Sequence, residues 1–143
     1  MEPDPTGAVR LIPYAGESLR VLGECGGLAF CELAVPPRFA GPPPHVHHEF
    51  DEAIYVLSGS LTMVRGHEGP VPAPPGTLIL APRGVRHTFA NPSDDPGRVV
   101  GVWSPGSALG FMADIGAALP ASGPPDPARL AEIYRRHNSE IVP

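Results

Sequence analysis

The side chains that could do chemistry are concentrated in the stretch HVHHEFDE, which covers residues 45–52. His45 and His47 stand one residue apart, and residues i and i+2 of an extended strand point to the same face of that strand. The two imidazoles can therefore aim at one point. The carboxylate of Glu52 follows five residues after His47, beyond a place where the chain has room to bend. Two neutral imidazoles and one carboxylate suit a borderline divalent metal such as Zn, Fe, Mn or Ni.

A further candidate ligand, His87, lies in a second window, GTLILAPRGVRHTFAN, which covers residues 76–91. It follows a Pro/Gly turn at the start of a strand-like segment. Four of the six histidines fall in the two windows, which a random scatter would rarely produce. A single histidine is more often packed or solvated than bound to a metal, and we expect this of His67 and His137. The combination of three histidines with a carboxylate favours a metal site.

Neighbouring residues compete for these roles. His48 is the nearest alternative to His47, but adjacent side chains of a regular strand point to opposite faces, which favours His47 as the ligand. Glu49 and Asp51 are alternatives to Glu52, and strand periodicity does not decide among the three carboxylates.

The two windows resemble the two motifs of the cupin superfamily. The matching residues are His45-x-His47-x4-Glu52-x6-Gly59 in the first motif and Gly76-x5-Pro82-x-Gly84-x2-His87-x3-Asn91 in the second. The resemblance selects Glu52 among the carboxylates and implies one divalent transition metal per chain, which would be Fe, Ni, Mn, Co or Zn. The ligands that it implies are His45, His47, Glu52 and His87. It also implies an all-β fold, the cupin jelly-roll β-barrel or double-stranded β-helix, with the metal inside.

Three features are similar to the quercetin-dioxygenase-like subgroup of single-domain cupins: the HVHH-type first motif, its continuation Glu52-x-x-Tyr55-Val56-Leu57-x-Gly59, and a helical tail. This resemblance implies a metal-dependent dioxygenase of an aromatic or enol-type, flavonol-like substrate, with Glu52 as the catalytic residue that takes the substrate proton. Because fold alone does not settle function, two alternatives stay open. One is a non-redox, metal-dependent cyclase, isomerase or lyase in natural-product tailoring, and the other is a non-catalytic small-molecule-binding cupin.

Large apolar side chains on or beside the motif strands are candidates for the wall of a substrate pocket, because small-molecule sites are mostly apolar. These candidates are Phe50, Tyr55, Met63, Phe89 and Trp103. Simple core packing is the alternative for each of them. Three arginines could anchor an acidic substrate, or could instead be solvated or paired at strand ends: Arg65, Arg83 and Arg86.

The elements that must position these residues are short strands separated by Gly/Pro turns, which predict a β-barrel at residues 16–104. Residues 1–15 form an N-terminal segment, in which Pro13 restricts any strand to a sheet edge. We expect the strand that ends at Leu57 to form a hairpin with residues 60–65 across a Ser-Gly turn.

A C-terminal helical tail is expected at residues 105–143. Apolar residues recur at helical spacing over residues 108–119. Asp126-Pro127 has the form of an N-cap followed by proline at the first helical position. The helix that follows carries a stripe of side chains on one face: Leu130, Ile133, Tyr134 and His137.

Composition restricts the partners. The chain has 143 residues, which predicts one domain, and a net charge of −5 with no basic stripe, which argues against nucleic acid. The N-terminus has no signal-peptide pattern and no apolar run approaches ~18 residues, so we expect a cytoplasmic protein without a membrane partner.

Barrel edges and helix faces predict a homodimer, joined through terminal strands or the helix after Asp126. We expect Cys25 and Cys31 to be buried and reduced.

Overall fold

The computed structural model describes residues 10–120 and 123–143. Its strands, numbered in chain order, are β1 (Leu11–Tyr14), β2 (Glu17–Glu24), β3 (Ala29–Val35), β4 (His45–His47), β5 (Asp51–Ser58), β6 (Leu61–Arg65), β7 (Val71–Ala73), β8 (Leu78–Ala81), β9 (His87–Ala90), β10 (Gly97–Ser104) and β11 (Ser139–Ile141). The helices are α1 (Leu109–Ala118), which a 3-10 turn at Gly106–Ala108 precedes, and α2 (Pro127–Arg136). Residues 1–9 of the predicted N-terminal segment lie outside the described residues.

Two antiparallel sheets form the walls of a barrel. The six-stranded sheet has the order β1-β2-β3-β10-β5-β8, and the five-stranded sheet has the order β11-β4-β9-β6-β7. Inward side chains of both sheets and of the two helices share one apolar core. This architecture confirms the predicted all-β jelly-roll barrel. The first strand, β1, lies at the edge of its sheet, which confirms the position predicted from Pro13.

The strands face the core with every second residue, as expected from the pleat. In β3 the inward residues are Ala29, Cys31, Leu33 and Val35. Glu32 lies between two of them and forms an ion pair with Arg98 of β10 on the outer face. The carboxylate that interrupts this apolar strand therefore does not enter the barrel.

The predicted hairpin at the Ser-Gly turn is wrong. Strand β5 pairs with β8 and β10, whereas β6 pairs with β7 and β9 in the opposite sheet. Gly59 has a φ of 101°, and a Cβ built on it would lie 2.7 Å from the Cα atom of Gly97. The chain does turn at Gly59, but the turn leads from one wall of the barrel to the other. In this arrangement both β5 and β6 bury their apolar faces in the core.

The helices close one end of the barrel. Helix α1 packs on β1 so closely that a Cβ at Gly116 would overlap the carbonyl oxygen of Pro13. Helix α2 begins as predicted, since the Asp126 carboxylate accepts a hydrogen bond from the backbone N–H of Ala128 at 3.0 Å. Neither helix in the described ranges has the length and apolarity needed to cross a bilayer.

One strand of the tail was not predicted. β11 follows α2 and pairs antiparallel with β4, so that Ser139 lies opposite His47 and Ile141 lies opposite His45. Asn138 precedes the strand with a φ of 54°, a left-handed conformation that asparagine tolerates. The segment expected to be helical therefore also contributes an edge strand directly beside the histidine pair.

The two cysteines have different environments. Cys31 is buried on β3, whereas Cys25 lies just after β2 and is exposed. The expectation of two buried thiols is therefore right for Cys31 and wrong for Cys25, because the glycine turn after Cys25 leaves the core.

Candidate metal centre

Three imidazoles meet inside the barrel. His45 and His47 point inward from β4, and the strand register places His87 of β9 directly opposite His45. The ring centroids are 4.4 Å apart for His45 and His87, 4.7 Å for His45 and His47, and 5.1 Å for His47 and His87. One ligand atom from each ring lies within 4.8 Å of the other two. These three histidines form a group that could hold a metal ion.

Hydrogen bonds fix which nitrogen of two rings carries the proton. Nδ1 of His45 lies 2.7 Å from the carbonyl oxygen of Pro43, and Nδ1 of His87 lies 2.9 Å from that of Val85. A carbonyl oxygen can only accept, so each Nδ1 is the donor. The lone pair of each neutral ring is therefore on Nε2, which is the atom that binds a metal.

The third ring is fixed by a side chain. Nδ1 of His47 lies 2.7 Å from the hydroxyl oxygen of Ser139, and that hydroxyl donates at 3.3 Å to the carbonyl oxygen of His137. Because the hydroxyl hydrogen is used there, the oxygen accepts from Nδ1 of His47. Ser139 was not identified from the sequence, since no local pattern announces the strand that brings it to His47.

The inward nitrogens of two rings are suited to a metal. In the part of the chain that the structure describes, Nε2 of His47 and Nε2 of His87 are buried and have no hydrogen-bond partner, and the nearest charged atom to Nε2 of His87 is Oε2 of Glu52, at 2.6 Å. A buried polar atom without a partner costs about 1–3 kcal/mol. A borderline divalent cation would satisfy both lone pairs, because imidazole is one of its preferred ligands.

Burial keeps two of the rings neutral. It lowers the pKa of His45 to about 3, with the nearby charges of His87 and His47 adding to the effect. Burial also lowers the pKa of His47 to about 4. At neutral pH both rings are unprotonated and ready to act as ligands.

Glu52 faces the same point from the opposite sheet. It lies on β5 opposite Trp103 of β10, and Trp103 Nε1 donates to its Oε1 at 2.7 Å. Its Oε2 lies 2.6 Å from Nε2 of His87, in a contact that is not aligned as a hydrogen bond. A cation shared by the two atoms would satisfy both. The converging group itself contains only the three histidines, so Glu52 as a fourth ligand stays a prediction.

The charges of Glu52 and the histidines act on each other. Burial alone would raise the pKa of Glu52, but the histidines, with His87 first, outweigh it and lower that pKa. Burial alone would lower the pKa of His87, and the carboxylate of Glu52 outweighs it and raises that pKa. The site thus holds an ionised carboxylate.

A cavity of about 30 Å³ lies beside the centre. Its wall combines inward residues of the barrel with residues of α1 and α2. The wall residues besides the histidines and Glu52 are Tyr14, Leu33, Pro42, Ile54, Thr88, Phe89, Val99, Gly101, Trp103, Phe111, Met112, Ile115 and Tyr134. Among them, Phe89 and Trp103 are two of the five candidates that the sequence suggested.

The other three candidates lie elsewhere. Phe50 stacks behind His47, with ring centroids 4.1 Å apart, and so supports a ligand without facing the cavity. Tyr55 is 44% exposed on the outer face of β5, because the pleat turns it away from the side of Glu52. Met63 packs against the core from a half-buried position. Of the remaining wall residues, some lie on the barrel strands themselves, and Tyr14, Phe111, Met112, Ile115 and Tyr134 come from β1 and the helices, which only the tertiary fold brings over the barrel.

The histidine and arginine alternatives are outside the centre. His48 has a side chain that is 52% exposed and lies near Glu140 on the surface. Arg83 lies beside Asp51, Arg86 donates to two backbone carbonyls, and Arg65 is exposed. None of these arginines lines the cavity.

The comparisons with known proteins agree with this fold. A family model described as a cupin domain matches residues 32–103, which is half of the chain. No functionally curated protein matches the sequence.

Solved structures are similar at low sequence identity and so support the fold alone. One is a protein from Silicibacter pomeroyi that is described as a sugar phosphate isomerase from a cupin superfamily. It is 22% identical over 72% of this chain and 75% of that chain, with a TM-score of 0.61. KdgF from Halomonas sp. is 20% identical over 72% and 90%, with a TM-score of 0.58. A Cupin 2 conserved barrel domain protein from Salinispora arenicola is 19% identical over 96% and 97%, with a TM-score of 0.53.

Proposed function

The chain belongs to the cupin family, and we propose that it is a metal-dependent enzyme that acts on a small, oxygen-bearing organic molecule inside the barrel. The observation that carries the proposal is the convergence of His45, His47 and His87, each of which brings one ligand atom to within 4.8 Å of the other two. In this proposal Glu52 is the fourth ligand. A divalent transition metal held there, Fe, Ni, Mn, Co or Zn, would supply Lewis-acid chemistry and, for a redox-active ion, the activation of dioxygen.

Glu52 is also the residue that we assign to proton transfer. The neighbouring histidines lower its pKa, so it is ionised, but a lowered pKa also makes it a weak base; a bound metal, which would acidify the substrate proton, is therefore needed for the transfer. The indole N–H of Trp103 holds one carboxylate oxygen, which fixes the orientation of the other. That second oxygen lies beside His87, where it would bind the metal, so it would have to leave the metal in part to accept the proton.

The cavity limits the size of the substrate. About 30 Å³ of free space holds a few water molecules, far less than a flavonol with its three rings requires. We therefore narrow the flavonol-like substrate to a small enol, which needs no displacement of α1 or α2. The apolar wall also excludes bulk water, which strengthens electrostatic interactions within the site.

The reaction that we propose first is dioxygenation of a small enol. Glu52 accepts the enol O–H proton, the enolate carbon forms a bond to dioxygen, and the resulting peroxide attacks the adjacent carbonyl. The O–O bond and the C–C bond between the two carbons then break, which gives a carbonyl compound and a carboxylic acid that together hold both oxygen atoms, and Glu52 returns its proton to the acid. An apolar cavity suits this chemistry, because it admits a small apolar gas and limits the water around the reactive carbanion.

A non-redox isomerase or lyase of a small carbonyl compound is the second candidate. The observation that favours it is the presence of a carboxylate base and two phenols, Tyr14 and Tyr134, around the same cavity. Such a reaction needs proton transfer but no dioxygen. Because no arginine lines the cavity and the chain contains no lysine, a phosphorylated sugar is not a substrate that this wall favours.

Elemental analysis of the purified protein tests the metal centre. We expect about one equivalent of a divalent transition metal in the wild type and little in the His45→Ala and His87→Ala variants. The matched control is His67→Ala, which changes an exposed loop histidine and should keep the metal. A metal-free wild type, or ligand variants that keep their metal, would contradict the proposal.

Assays of the metal-loaded protein then distinguish the dioxygenase, the isomerase or lyase, and the non-catalytic binding protein. Dioxygen uptake with a panel of small enols, lost in Glu52→Gln, supports the dioxygenase. Turnover that is equally fast without oxygen supports the isomerase or lyase. Ligand binding without turnover in either condition would identify a non-catalytic cupin.

A further inference from the structure

Two of the three tyrosines face the proposed metal centre. Tyr14 comes from β1 at the edge of one sheet, and Tyr134 comes from α2. Both line the cavity that contains the histidines and Glu52, and they are 3% and 1% exposed. The third tyrosine, Tyr55, lies on the outer face of the barrel.

Among the residues that the structure describes, the hydroxyls of Tyr14 and Tyr134 have no protein hydrogen-bond partner, and neither oxygen is sealed off from the cavity that the two side chains line. Hydroxyls inside folded proteins are almost always hydrogen-bonded. The acceptors for these two hydroxyls therefore belong in the cavity.

Both rings are held firmly. The ring of Tyr134 packs edge-on against His45 at 4.9 Å and against Phe111 at 5.1 Å. It is also parallel to the ring of His47, at 6.2 Å. The ring of Tyr14 packs against Phe39 at 6.1 Å. Rings fixed in this way present their hydroxyls as preorganised donors, which is how binding sites select ligands at low entropic cost.

Both groups are hydrogen-bond donors. A phenol is protonated at neutral pH, so each hydroxyl carries a hydrogen that it can donate. The two phenols therefore require acceptors. An uncharged apolar molecule would leave both of them unpaired.

We propose that Tyr14 and Tyr134 are specificity residues that donate hydrogen bonds to the substrate, and that the substrate is a small molecule with two neighbouring oxygen atoms, such as a hydroxyketone or a dicarbonyl compound. This inference rests on the proposed function, because the substrate is taken to bind beside the histidine centre. It adds that hydrogen bonds from two phenols, one on a strand and one on a helix, discriminate between molecules of similar size.

The test uses the full chain loaded with Co(II), whose visible absorption reports on ligands. The probe is acetohydroxamate, a small molecule with two adjacent oxygen atoms. We expect Tyr14→Phe and Tyr134→Phe each to weaken acetohydroxamate binding about tenfold, which is the usual effect of losing one such hydrogen bond. Co(II) affinity should not change in either variant.

Tyr55→Phe is the matched control, because it removes the same hydroxyl from the outer face, and it should bind acetohydroxamate like the wild type. Equal acetohydroxamate affinity in the wild type and both inner variants would overturn the assignment of the tyrosines and leave the metal centre intact. A wild type that binds Co(II) but not acetohydroxamate would overturn it too. Failure of the wild type to bind Co(II) would instead overturn the proposed function, and this inference with it.

Discussion

His47 depends on a hydroxyl from a distant part of the chain. Its Nδ1 donates to Ser139, 92 residues away, at 2.7 Å. The Ser139 hydroxyl is oriented in turn by the carbonyl of His137. Partners of this kind fix the tautomer and the direction of a metal ligand, and removing them typically lowers metal affinity.

We therefore expect Ser139→Ala to weaken metal binding by about 10- to 100-fold, because His47 then loses the acceptor that fixes its proton on Nδ1. Ser139→Thr keeps a hydroxyl and should retain most of the affinity. The measurement is competition with a chelator, and Ser60→Ala, at an exposed position, is the control. An unchanged affinity in Ser139→Ala would show that the hydrogen bond does not position the ring.

A second dependence concerns Gly101. A Cβ at this position would overlap the indole of Trp103, whose N–H holds Glu52. Overpacking of this kind usually costs about 1–3 kcal/mol, so Gly101→Ala should lower the free energy of unfolding by that amount. Denaturant titration measures it, with Gly69→Ala as the control because nothing lies within 4 Å of a Cβ there. Equal losses in the two variants would contradict this account.

At the scale of elements, the two cysteines report on the direction of β3. Cys31 faces the core, and burial raises its pKa to about 12, whereas Cys25 lies in an exposed turn. We expect a thiol reagent to label the native protein at Cys25 alone, because the thiolate is the reactive form and Cys31 is both protonated and shielded.

Mass spectrometry of the labelled protein checks this, and Cys25→Ser should remain unlabelled until denaturant is added. Rapid labelling of Cys25→Ser under native conditions would mean that β3 opens readily or faces the other way.

Some elements could be predicted because their signal is local. The i, i+2 spacing of His45 and His47 fixes a shared face, and Asp126 with Pro127 marks a helix start whatever surrounds it. Pairing between distant segments leaves no such signal. The turn at Gly59 marks where the chain reverses but not which sheet receives the next strand, and the strand at Ser139 is too short for a periodic pattern.

For the same reason the cavity wall was only partly predictable. Phe89 lies two residues after His87 on the same strand and so shares its face, whereas Trp103 lies on β10, beside the strand of Glu52, and its direction depends on the pairing of the two strands. Tyr134 belongs to an apolar helix face that was expected to be buried, but the surface against which it packs depends on the whole fold. Tyr14 comes from an edge strand with no link to the motifs.

At the scale of the whole molecule, the outer face of the six-stranded sheet is unusually apolar. The register places exposed side chains of neighbouring strands side by side, and its large members are Leu22, Phe30, Tyr55, Leu57, Leu78 and Leu80, each 42–56% exposed. Soluble monomers rarely expose a continuous patch of more than a few hundred Å². Strand spacing and rise give this face on the order of 600 Å², close to the ~800 Å² that each partner buries in a standard interface.

We therefore expect a second copy of the chain to cover this face. The homodimer expected from the sequence, through terminal strands or the helix after Asp126, stays a prediction; the apolar residues of that helix, Leu130, Ile133 and Tyr134, are buried within the chain. Light scattering should give a dimer for the wild type and a monomer for Leu80→Glu. Val71→Glu, on the other sheet, is the control and should stay dimeric. A monomeric wild type would remove the idea.

The centre is divided between the two walls of the barrel. The five-stranded sheet supplies the histidines, and the six-stranded sheet supplies Glu52 and Trp103. Any ligand that binds both halves therefore cross-links the two walls of the barrel. A metal bound at the centre should therefore make local opening of the barrel less frequent. The amide hydrogens of β4 and β5 should then exchange with solvent more slowly in the metal-bound protein than in the metal-free protein.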